Sequence, residues 1–139
     1  MQNRDVLYSP RWSTSQVYRS LIAFPIATFS LTVITDLTYL QTSNLLWLHF
    51  SEWLLFAGLV GGIFAAVYLG IICLARRKRP PPLHALFGVV ALVLAALNSF
   101  IHTADGWTAV MPYGLATSIA TVVAMLLAGW FGGRGNAYD

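Results

Sequence analysis

Four long apolar stretches, almost free of charge, leave this chain few folds to choose from. A helix that crosses a bilayer needs about 20 mainly apolar residues, and the stretches are that long. They predict spans over residues 20–40, 52–75, 84–102 and 110–131. Strands of a membrane barrel would be about ten residues long with strict alternation. These segments are about twice that and apolar on every side. In lipid each backbone group must be bonded internally, which a helix does within itself. The expected fold class is therefore all-α: an integral membrane four-helix bundle.

The four spans use nearly all of the 139 residues and leave no room for a separate soluble domain. Residues 1–16 read as a tail, 17–133 as one transmembrane domain and 134–139 as a second tail. Charged residues are 9% of the chain, against about 25% in a soluble domain. That excludes disorder, a nucleic-acid module and an ordinary soluble enzyme. The first apolar stretch starts late and is too long for the core of a cleavable signal peptide. Cys73, the only cysteine, lies in an apolar run and reads as a small buried residue.

All eight Lys and Arg fall toward the two tails or in the loop of Arg76, Arg77, Lys78 and Arg79. The first and third loops have none. The positive-inside rule then places both termini and the 76–82 loop in the cytoplasm, as in a multi-pass protein of a bacterial inner membrane. Trp47, Trp53, Trp107, Tyr39 and Tyr113 are expected as one interfacial aromatic belt. Trp12, Tyr18, Trp130 and Tyr138 are expected as the other. Pro80, Pro81 and Pro82 stop the second helix.

Two ridges of small residues recur every four positions: Gly58, Gly62, Ala66 and Gly70 in the second span, and Ala116, Ala120, Ala124 and Ala128 in the fourth. Lipid gives helices no hydrophobic reason to associate, so small residues that admit a neighbouring backbone mark contact faces. The two ridges are expected to satisfy each other within one bundle, with homodimerisation through one of them as the alternative. In the first span Thr28, Thr32, Thr35 and Tyr39 form a stripe with Asp36 beside it. Threonine can bond its own helix backbone, but a carboxylate in a span is costly.

Five ionisable residues gather toward one end of the predicted bundle: Asp36, His49, Glu52, His102 and Asp105. His49 and Glu52 are three apart, as are His102 and Asp105, and residues three apart share a helix face. Three readings compete. The five could hold a divalent metal, since imidazole and carboxylate suit zinc or a similar ion. His49 and His102 could serve a haem b or a quinone. Or the residues are interfacial polar groups and no cofactor is bound, which is the default. Asp36, the deepest, is paired with His102 as a hypothesis. Asn98 is expected to bond across helices, and His84 to cap its helix or face water. No nucleophile elbow, phosphate loop, HExxH or CxxC pattern occurs, so the chain does not read as an enzyme. A small-solute transporter ranks last, because only Thr28, Thr32 and Asn98 approach the midplane.

Several short motifs in a fixed order resemble domain-of-unknown-function family 2231, small bacterial membrane proteins. They are Phe24-Pro25-Ile26-Ala27, Asp36, the stretch from Asn44 through Trp47 to Gly58–Gly62, and His84. Asp105-Gly106-Trp107-Thr108 through Pro112 and Gly114, then Gly129 to Gly133, complete the pattern. The likeness covers residues 20–133. Members often carry histidine before Phe-Pro, where this chain has Ala23, and an acidic residue near Ile71 and Ile72. The resemblance implies a four-helix membrane domain found beside redox modules. The expected function is thus a non-catalytic membrane subunit or anchor, with a redox, quinone-linked protein and the lipid bilayer as partners and no nucleic acid.

Overall fold

The computed structural model describes residues 14–77, 79–103 and 110–133. They form four helices: α1 (Thr14–Thr42), α2 (Leu45–Arg76), α3 (Pro82–Thr103) and α4 (Tyr113–Gly133). All four are long and apolar enough to cross a membrane. Each helix packs on its neighbours in sequence, and α4 returns to α1. The closest pairs are the hairpins α1–α2 and α3–α4, with looser faces between them.

Local chemistry sets the ends. Ser43, in the left-handed region, closes α1 by donating its N–H to the Tyr39 carbonyl at 2.8 Å. Asn44 then caps α2, its side chain accepting from the Leu46 N–H. The apolar residues 45–50 are thus the first turns of α2 rather than a lead-in. Arg77 adopts a left-handed conformation and ends α2. Pro82 opens α3, where its missing N–H is harmless. Pro112 sits just before α4, accepting from the Ala116 N–H.

The bundle is polar inside and apolar outside. Phe56, Phe64, Leu74, Phe100 and Leu126 are all at least 60% exposed, while Asp36, Ser51, Asn98 and Thr121 are 0% exposed. A water-soluble bundle would bury the first set, so the exterior suits lipid. Two of the expected belt residues are instead internal: Tyr18 and Tyr39 are buried. Trp53, Tyr113 and Trp130 remain on the outside. Trp12, Trp107 and Tyr138 lie outside the described residues.

The glycine ridge of α2 is divided in use. A Cβ on Gly58 would strike the Phe29 ring and Thr28 of α1, and one on Gly62 would lie 2.6 Å from Leu92 of α3. Gly61, off the ridge, meets Phe24 of α1 at 2.5 Å. A Cβ on Gly70 would meet nothing within 4 Å, and Ala66 is exposed. On α4, Ala124 and Ala128 are buried, while Ala116 and Ala120 face outward. Only part of each ridge is therefore a contact within the bundle. Gly58→Leu should destabilise the protein by about 1–3 kcal/mol through overpacking. Gly70→Ala should be neutral or stabilising, because alanine favours a helix over glycine. Thermal unfolding in one detergent compares them.

Candidate functional site

Two apolar layers enclose a polar one. Phe29, Leu55 and Ala95 form one core cluster, with Leu59, Val122 and Met125 against it. Tyr39, Leu48 and Val110 form the other, flanked by Trp47 and Met111. Between them in sequence on every helix stands a polar residue: Asp36 on α1, Ser51 on α2, Asn98 and His102 on α3, Ser118 on α4. Each of these five is no more than 2% exposed.

The Asp36 carboxylate gathers the other three helices. Ser51 donates to Oδ1 at 2.6 Å and Ser118 to Oδ2 at 2.6 Å. His102 Nε2 lies 2.9 Å from Oδ1. The Asn98 side-chain amide donates to Ser118 Oγ at 2.7 Å. His102 Nδ1 lies 2.9 Å from the Asn98 carbonyl, so the ring closes: Asp36, His102, Asn98, Ser118 and back. Ser51 has one hydroxyl hydrogen and gives it to Asp36. In its 2.7 Å contact with Thr35 it is therefore the acceptor.

The geometry also counts protons. A carbonyl can only accept, so His102 Nδ1 carries a hydrogen. Nε2 faces a carboxylate oxygen, and two acceptors cannot share a short contact. One more proton lies between them, on the imidazole or on the carboxyl group. Either way the pair is neutral overall, which is what an apolar surrounding requires. Asn98 Oδ1 is the one buried side-chain acceptor without a partner among the described residues. Its orientation is set, because Ser118, having given its hydrogen to Asp36, needs the amide nitrogen.

The five residues grouped by sequence divide. Asp36 and His102 meet inside the bundle. His49 and Glu52 pair with each other at 3.3 Å on the outer surface, where the His49 side chain is 63% exposed. Asp105 lies outside the described residues. Among the described residues no group of three or more His, Cys, Asp and Glu could hold a metal ion. Nor do His49 and His102 suit a haem iron as they stand, since both His102 nitrogens are engaged. Asn98 bonds across to α4, as expected. Ser51 and Ser118 carried no signal in sequence, because a single serine in an apolar helix usually bonds its own backbone. Two members of the threonine stripe do so, Thr28 and Thr32 each donating to a carbonyl of α1, while Thr35 gives its hydrogen to Ser51.

His84 departs from expectation. It neither caps nor faces water but is buried, with Nδ1 donating to the Ala128 carbonyl and Nε2 accepting from the Tyr18 hydroxyl, each at 2.8 Å. Gly132 makes room, since a Cβ there would sit 2.7 Å from the ring. Gly114 likewise lies against the His102 ring, where a Cβ would approach Cε1 to 3.0 Å.

A family described as predicted membrane protein (DUF2231) matches residues 19–138. The chain belongs to that family. Asp36, Ser51, Asn98, His102 and Ser118 all lie within the matched region. No curated protein and no solved structure matches the chain.

Removing one member of a buried ion pair typically costs about 3–5 kcal/mol. Asp36→Ala and His102→Ala should each approach that loss, and the double variant should lose far less than their sum. A double-mutant cycle in reversible detergent unfolding measures it. A coupling near zero would show that the pair does not form.

Proposed function

We propose that the protein is a non-catalytic membrane subunit or anchor. One observation carries this reading: the Asp36–His102 pair at the polar centre is closed on itself. Both oxygens of Asp36 and both nitrogens of His102 are bonded to groups of this chain. Acid–base chemistry on a substrate needs a free lone pair or an exchangeable hydrogen on an imidazole or carboxyl group, and the one unpartnered acceptor among the described residues, Asn98 Oδ1, is a weakly basic amide oxygen. The arrangement supports a different role, holding four helices at one register. A rigid bundle with an apolar exterior suits a part whose work is to keep a partner in the bilayer. The family resemblance supports a redox, quinone-linked protein as that partner. The distribution of Lys and Arg supports a bacterial inner membrane and cytoplasmic termini.

Two experiments test the reading. Protein purified in detergent from haem-replete cells should show no Soret band, oxidised or reduced, and no stoichiometric transition metal. A Soret band lost in His49→Ala or His102→Ala would overturn the reading in favour of a haem protein. In the producing cell, deletion should move a quinone-linked dehydrogenase activity from the membrane to the soluble fraction. If all such activity stays on the membrane, the anchor role fails.

A further inference from the structure

Toward the opposite end of the bundle lies a cavity of about 300 Å³, lined by neither Asp36 nor His102. All four helices line it. On α2 it runs from Gly62 to Cys73, eleven residues or about 16 Å at 1.5 Å per residue. That is about half the thickness of a bilayer's hydrocarbon core, one leaflet. Its lining is almost wholly apolar. Ala66 and Gly70 of α2 and Val89 of α3 line it and are exposed, so it opens to the outside between these helices.

Glycines keep it open. A Cβ at Gly70, Gly88 or Gly129 would meet nothing within 4 Å. These residues do not bring backbones together as Gly58 and Gly62 do; they border space. Two further lining residues, Cys73 and Pro80, bracket the basic loop in sequence. Arg76, Arg77 and Arg79 are exposed there, with Arg76 donating to Thr14 Oγ1 at 2.6 Å. The carboxylates among the described residues, Asp36 and Glu52, are paired at the other end. The loop between the lining residues Cys73 and Pro80 thus presents arginines and no carboxylate at this end of the cavity.

We propose that this cavity is a binding site for an acidic phospholipid. One acyl chain lies in the apolar channel between α2 and α3, and the phosphate sits on the loop of Arg77 and Arg79. Each part of the ligand has its complement: chain length in the depth of one leaflet, apolar character in the walls, negative charge in the arginines. Basic pockets between spans suit anionic headgroups for the same reason. A lipid-soluble quinone is the rival occupant, since Tyr18 and His84 stand on the wall. They serve it poorly: a quinone carbonyl needs a donor, but the Tyr18 hydroxyl donates to His84 and His84 Nδ1–H to Ala128.

The full chain, delipidated in detergent, is titrated with phosphatidylglycerol, phosphatidylcholine or decylubiquinone, and retained ligand is counted by native mass spectrometry. Phosphatidylglycerol should bind at one per chain and more tightly than phosphatidylcholine. Arg77→Gln and Arg79→Gln should each weaken it by about fivefold, the effect of about 1 kcal/mol per basic residue at an anionic surface. Gly70→Leu with Gly88→Leu should fill the channel and abolish retention. The arginine variants, in an exposed loop, keep the test decisive should the leucine pair fail to fold. Equal retention of the two phospholipids, indifference to the arginines, or tighter binding of decylubiquinone would each overturn the proposal.

Discussion

One carboxylate holds the design together. Asp36 is a charge-bearing group in a part of the chain that suits lipid, where insertion alone costs about 2.5–3.5 kcal/mol. It is accommodated because α2, α3 and α4 each bring a polar group to it. The apolar layers on either side exclude water, which makes any unpaired member of the set expensive. A one-residue slip of any helix would carry its polar group off the shared centre. Individual hydrogen bonds between membrane helices average only about 0.6 kcal/mol. The network's larger effect is therefore on register, the best-attested use of buried polar groups.

Small residues do two opposite things along the same helix. At Gly58, Gly61 and Gly62 the absence of a side chain lets α1 and α3 close on α2. Two to three turns on, at Gly70, it leaves room. The bundle is thus tight and polar inside toward one end and loose and apolar toward its basic end. The Tyr18–His84–Ala128 bonds join α1, α3 and α4 at that looser end, so the cavity has a firm wall on one side and an opening toward α2 and α3 on the other. Stability and ligand access are separated along the bundle axis.

The number of helices, their membrane character and the pairing of Asp36 with His102 were legible in the residues. Hydropathy and charge add up along the chain, and an isolated carboxylate in an apolar run needs a partner, of which few exist. The roles of Ser51, Ser118 and Tyr18 were not legible, nor was the burial of His84. A serine in an apolar helix looks the same whether it bonds its own backbone or a neighbour's carboxylate. The two uses of the glycines look identical for the same reason, since Gly58 and Gly70 differ only in what lies opposite.

By itself the sequence determined a chain of four lipid-crossing helices with basic residues grouped toward alternate connections and a few polar groups that had to be reconciled with an apolar surrounding. The tertiary structure alone decided which of these groups meet, that His49 turns outward while His102 turns in, and that a glycine ridge ends in a cavity. The reason is rotational: composition and period define a helix and its length, but the angle at which each helix presents its faces depends on contacts among residues distant in the chain.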